Sequence, residues 1–198
     1  MEEGLISSGE RLAIGQTGRG RSVFALEDFG AGSCIIEFGG GRFSRNEYIS
    51  HVDPDNNHFL QIDRNLFLGP TETADNFINH SCDPNCGLKI EAGRAYLFAI
   101  RQIAAGDEIT FDYSTSMDED FWEMRCQCSS AACRGRVRDF KHLPVETRNR
   151  YITMGAVPEF ILSGLGNEAA VAGMIVETRP NALFPSADGE EQAALRAS

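Results

Sequence analysis

Cys126, Cys128 and Cys133 follow the spacing Cys-x-Cys-x4-Cys, and the residues between them (Gln127, Ser129, Ser130, Ala131, Ala132) are small or polar. Three thiolates so spaced can wrap a single ion, and zinc completes its tetrahedron with a fourth ligand from elsewhere. Cys82 is the first candidate for that place and Cys86 the next. Cys34 lies in the apolar run Cys34-Ile35-Ile36 and reads as a core thiol. Exposed free thiols this close together invite oxidation, which favours the liganded reading.

Three further segments carry polar chemistry. Asn79-His80-Ser81-Cys82-Asp83-Pro84-Asn85 follows the apolar pair Phe77-Ile78 and combines two ligand-holding side chains, a thiol and a rigid turn. A lone Asn or His in a turn would more readily satisfy nearby backbone groups. Thr17-Gly18-Arg19-Gly20-Arg21 sets glycines just before a strand, where a bare backbone can approach a ligand closely. Gly106-Asp107 turns the chain into Glu108-Ile109-Thr110-Phe111-Asp112-Tyr113, a β-branched and aromatic run that reads as a strand ending in tyrosine.

The elements that must position these residues read as short strands punctuated by glycine turns. Ser22–Ala25 and Cys34–Phe38 flank the turn Phe29-Gly30-Ala31-Gly32; His58–Ile62 and Leu66–Leu68 form a hairpin around Asp63-Arg64-Asn65. Leu88–Ile90 and Ala95–Ile100 pair around Glu91-Ala92-Gly93. Helical periodicity is confined to Ser44–Ser50 and the region beyond Pro144. There Pro144 suits a helix start and Gly155 a helix end, with two more short helices over Pro158–Leu165 and Asn167–Val176. Pro180–Ser198 is polar and alanine-rich, the composition of a loosely ordered tail.

The 198 residues, 42% of them hydrophobic, suffice for one domain with appendages. Acidic residues outnumber basic ones 29 to 18, for a net charge of -11. That balance opposes non-specific nucleic-acid binding and suits a cationic partner such as a lysine-rich peptide. There is no apolar run long enough for a bilayer, and Met1-Glu2-Glu3 lacks the basic start of a secretory signal. The expectation is a soluble intracellular protein, cytoplasmic or nuclear, with no membrane partner.

Together, the Asn79–Asn85, Gly106–Tyr113 and Cys126–Cys133 segments resemble the SET-domain protein-lysine methyltransferases over roughly residues 10–137. The resemblance implies a mostly β fold of several short sheets, with a pseudoknot-like crossing at the Asn-His-Ser-Cys segment. It divides the chain into a catalytic domain (1–115), a post-SET zinc segment (116–140), a helical extension (141–180) and a flexible tail (181–198).

The resemblance further implies transfer of methyl groups from S-adenosylmethionine to a lysine amine in a basic protein or peptide, histone tails being the family's habitual substrates. It places Tyr113 as the catalytic residue, Phe38 and Phe111 in the substrate-lysine channel, and Arg19, Gly20, Asn79, His80 and Tyr113 on the cofactor. Zn2+ falls to Cys82, Cys126, Cys128 and Cys133. Phe111 occupies the family's phenylalanine/tyrosine switch position, and phenylalanine there implies di- or trimethylated product.

Two departures stand out. Phe38-Gly39-Gly40 replaces the family's Tyr-x-Gly, removing a hydroxyl near the amine, and Asn76-Phe77 replaces Arg-Phe, substituting a shorter neutral side chain for a charged one. The second reading is a catalytically weak module that binds a lysine-bearing peptide. A third makes Arg134, Arg136, Arg138 and Lys141 a nucleic-acid contact on a zinc knuckle, although direct contact with nucleic acid is not expected of so acidic a chain.

Overall fold

The computed structural model describes residues 6–7 and 11–165. Its largest sheet has five strands in the order Cys34–Phe38, Arg94–Ala99, Cys86–Glu91, Thr110–Phe111, Asn79–His80. The first three run antiparallel. Ala92 and Gly93 (φ 48° and 75°) close the hairpin between Cys86–Glu91 and Arg94–Ala99, a left-handed pair that matches the natural strand twist. Thr110–Phe111 pairs in parallel with Asn79–His80 on one side and with Cys86 on the other. That pairing brings two segments of distant sequence side by side.

Smaller sheets surround this one. Leu12–Thr17 pairs with Gly20–Ala25 across a tight turn, with Ile6–Ser7 added at the outer edge. Arg42–Ser44, Leu66–Leu68 and Leu60–Asp63 form a three-stranded sheet, and Met124–Arg125 pairs with Arg136–Val137 around the cysteine loop. Leu12–Thr17 escaped the sequence reading because Gly15 and Gln16 break its apolar pattern. Helix α1 (Arg45–His51) begins at Ser44, whose side chain and that of Glu47 cap each other's backbone N–H groups.

The expected strand from Glu108 to Tyr113 is shorter than its composition suggests. Glu108 makes an isolated bridge to Phe24 and the strand itself is only Thr110–Phe111; the Asp112 carboxylate then accepts the Ser114 N–H and starts a 3-10 turn over Tyr113–Ser116. Tyr113 therefore opens a turn instead of ending a strand. The polar Asp and Ser side chains offer the backbone this local alternative to a ladder.

The main core gathers Val23, Leu88, Leu97, Ile103 and Ile109 with the flanking aromatics Phe29, Phe38, Phe77 and Phe111. Helices α2 (Val145–Thr153) and α3 (Glu159–Leu162) lie where Pro144 and Pro158 predict their starts. They and the turn between them bury Tyr151, Ala156, Phe160 and Ile161 in a second cluster against Ile90 and Phe98 of the large sheet and the adjoining Ile100. Gly87 permits the approach: a Cβ there would sit 2.7 Å from Ala156 Cβ and 2.9 Å from the Phe98 ring. The helix expected over Asn167–Val176 and the tail expected over 181–198 lie outside the described residues. Among the described residues, no helix is long and apolar enough to cross a membrane.

Candidate active site

Two clefts adjoin and share Asn57, His58, Asn76, Tyr113 and Trp122 as lining residues. The first encloses about 690 Å3 of empty space, counting its open mouth, and is walled by Phe38, Tyr48, Phe59, Phe67, Phe111 and Trp122. The second, about 1620 Å3 on the same measure, is polar, with Arg19, Gly20, Asn79 and His80 on one side and Trp122, Met124 and Gln127 on the other. Tyr113 lines both. The sequence-derived channel residues thus fall on the aromatic cleft and the sequence-derived cofactor residues on the polar one.

The Tyr113 hydroxyl donates to the Ile78 carbonyl at 2.8 Å, and its backbone N–H donates to His80 Nδ1 at 3.2 Å. Burial pushes the phenol's pKa upward, so it stays protonated at neutral pH. With its proton committed to Ile78, the phenolic oxygen keeps its lone pairs for a ligand. The ring packs against Phe111, centroids 4.9 Å apart, and Phe111 meets Phe38 edge-on at 5.8 Å. Phe38 presents only an apolar ring edge to this group.

On the polar side, Gly20 takes a φ of +99°, a conformation L side chains rarely adopt, as the hairpin turns around Gly18 and Arg19. Arg19 pairs with Glu108 and also donates to the His80 carbonyl at 3.3 Å. Asn79 spends its amide nitrogen on the Arg21 carbonyl (3.0 Å) and Ser22 Oγ (2.7 Å), leaving the amide oxygen as what it can offer a ligand. Asn76, which replaces the family's arginine, accepts the Thr71 N–H at 3.2 Å and lines both clefts.

His80 is buried, and burial outweighs the nearby Asp112 to lower its pKa to about 4. The ring is therefore neutral. Because Nδ1 accepts from Tyr113, the proton must sit on Nε2, which faces Cys82 Sγ at 3.3 Å. Both ring nitrogens are thus engaged inside the protein, and His80 can serve the cleft only through its main chain.

His80, Cys82, Cys126 and Cys128 place ligand atoms within 4.8 Å of one another, a cluster able to hold a metal ion. The hydrogen bonds sort these donors. His80 Nε2 carries a proton, so it can support the Cys82 sulfur but not bind metal itself. Cys82 and Cys126 sulfurs lie 3.7 Å apart, and Cys133 sits beside Cys126 and Cys128.

Backbone N–H groups of Arg134, Cys128 and Gly135 point at the sulfurs of Cys82, Cys126 and Cys133, each at 3.4 Å, as suits thiolates. Burial pushes Cys82 up to about 11 and raises Cys126 as well, a penalty that a bound dication would reverse. This donor set suits zinc. Cys86 lies in the large sheet, buried in the main core, and Cys34 is half-buried in its own strand.

The basic cluster is neutralised: Arg136 and Arg138 pair with Glu123, Arg134 with buried Asp112, and Lys141 with Asp120 at 2.6 Å. Trp122 escaped sequence reasoning, although it is the chain's single tryptophan; its indole N–H bonds the Pro54 carbonyl at 2.7 Å and its ring lines both clefts.

Residues 20–114 match the SET domain family model. The chain carries a SET domain. The chain is 32% identical over 126 residues to the histone-lysine N-methyltransferase trithorax of Drosophila virilis, covering 58% of this chain and 3% of that protein. Identity is also 32% over 127 residues to the H3 lysine-4 specific histone-lysine N-methyltransferase of Saccharomyces cerevisiae, covering 57% of this chain and 12% of that one. The chain therefore spans only a small part of these relatives' length.

Among solved structures, KRYPTONITE in complex with mCHH DNA, an H3(1-15) peptide and SAH superposes with a TM-score of 0.52 at 25% identity. The match covers 64% of this chain and 29% of that one. It fits the mostly β architecture of several small sheets described above.

Proposed function

We propose that this SET domain transfers methyl groups from S-adenosylmethionine to the side-chain amine of lysine in a basic protein or peptide. The observation that carries the reading is that Tyr113 lines both the polar and the aromatic cleft, so that a cofactor in one and a lysine in the other would meet at its hydroxyl. S-adenosylmethionine supplies a methyl group on a cationic sulfonium, and every other requirement falls on the chain.

Arg19, Gly20, Asn79 and the His80 main chain would hold the cofactor, and Phe38 and Phe111 would sheathe the lysine stem. An apolar sheath beside a cationic sulfonium lowers the amine's pKa from its usual value of about 10.4, which yields the neutral nucleophile without a strong base. The Tyr113 oxygen, held by the Ile78 carbonyl, would accept weak C–H···O contacts from the moving methyl and keep donor and acceptor in line.

Zinc would be held by Cys82, Cys126, Cys128 and Cys133, tying the 116–140 segment to the turn after His80 and so fixing one wall of the polar cleft. The extension after residue 140 packs on the catalytic body, whose limit we place near residue 115. The relatives' names and the peptide in the KRYPTONITE complex favour a histone tail as substrate, and hence work in the nucleus. With Phe111 and Phe38 in the channel, the product is di- or trimethyllysine.

The test is to incubate the protein with labelled S-adenosylmethionine and a panel of lysine-rich proteins, then map the label by mass spectrometry. Label on a defined lysine supports the proposal. Cofactor binding without transfer to any lysine would favour the weak peptide-binding module instead.

A further inference from the structure

Asp112, the residue before Tyr113, has a fully buried carboxylate fastened by three segments of chain. The Ser114 N–H donates to Oδ1 at 3.2 Å from the same turn. Arg134, from the cysteine loop, reaches both oxygens at 2.8 and 2.7 Å while its backbone N–H bonds the Cys82 sulfur. Tyr151, from α2, donates its hydroxyl to Oδ2 at 2.9 Å. Its ring is 1% exposed and lies in the second hydrophobic cluster, so the hydroxyl has a fixed point of delivery. A buried carboxylate needs all such donors, and removing one leaves an oxygen lone pair unsatisfied in a low-dielectric site.

Asp112 shares a peptide unit with Tyr113, whose N–H and hydroxyl are held by His80 and Ile78. The carboxylate's donors hold the Asp112 residue in place, and a displacement of its backbone is carried to Tyr113 across a single rigid peptide plane. We infer that Tyr151 is a positioning residue: through Asp112 it holds Tyr113 in one geometry, which makes the helical extension a working part of the site. The inference rests on the transfer reading above. Reacting groups displaced by about 1 Å can lose on the order of a hundredfold in rate.

The test is Tyr151→Phe in the full chain, which removes the hydroxyl and keeps the ring in its cluster. Single-turnover methyl transfer should slow by about tenfold or more. The same substitution in a Tyr113→Phe background should cause little further slowing, because its effect runs through Tyr113. Equal slowing in both backgrounds, or none in either, would overturn the inference.

Amide hydrogen exchange supplies a readout that needs no turnover. Loss of the Tyr151 hydrogen bond should speed exchange at Ser114 and Arg134 by about tenfold or more. Unchanged exchange there overturns the clamp. Faster exchange in a chain whose unsubstituted form labels no lysine leaves the clamp standing and overturns the transfer reading instead.

Discussion

Replacing Glu119 with glutamine should stabilise the protein at alkaline pH and change it little in acid. Glu119 lines the aromatic cleft and is only 4% exposed. Its Oε1 accepts the Tyr48 hydroxyl at 3.1 Å, while Oε2 is buried with no hydrogen-bond partner among the described residues. Burial drives its pKa from 4.5 up to about 7; Asp139 adds to that rise, and the Tyr48 hydrogen bond and Arg45 oppose it.

The fold thus prefers the protonated carboxyl. A group whose folded-state pKa is raised lends its stability in full below the unfolded value of 4.5 and loses it as pH climbs through about 7. At about 1.4 kcal/mol per tenfold change in proton affinity, the loss amounts to about 3 kcal/mol. Glutamine keeps the shape and an acceptor for Tyr48 but never ionises. Urea unfolding of both proteins at a series of pH values between about 5 and 8, with zinc present, should show the Glu119→Gln advantage growing to roughly 3 kcal/mol. A difference that stays flat with pH, or a variant less stable at about pH 8, would refute the reasoning. A stabilising substitution on a cleft wall would also mean that the carboxylate is retained for something other than stability.

Two further outcomes follow from the site. Metal analysis should find one zinc per chain, and Cys82→Ser should weaken zinc retention and speed amide exchange across 122–137; normal zinc content in that variant would exclude Cys82 as a ligand. Phe111→Tyr should add a hydroxyl able to anchor a water where a further methyl must go, shifting product toward monomethyllysine on mass spectra; unchanged product ratios would remove Phe111 from control of multiplicity.

The cysteine cluster, the Asn79–Asn85 motif and most strands were legible in the sequence because each signal is local. Spacing gathers thiols, glycines mark turns, and helical periodicity over Ser44–Ser50 marks α1. What stayed hidden depends on side chains that meet only after folding. The fold turns the Asn79 nitrogen onto Ser22 and the His80 ring toward Cys82, contacts that nothing local in the motif announces. Nothing near Glu119 in sequence marks it as buried, since its partner Tyr48 comes from α1, and Tyr151 gives no sign that it reaches Asp112. The early end of the strand at Phe111 was legible in principle, because Asp112 and Ser114 can cap a turn.

Methyl transfer, in the proposed function, occurs at the Tyr113 hydroxyl, where the two clefts adjoin. Single-turnover transfer from labelled S-adenosylmethionine to the mapped lysine, measured for the unsubstituted chain and for Tyr113→Phe alongside S-adenosylhomocysteine affinity, tests it most directly. The expected result is a rate loss of about a hundredfold or more with affinity nearly retained. A Tyr113→Phe protein that transfers methyl groups at the unsubstituted rate would contradict it.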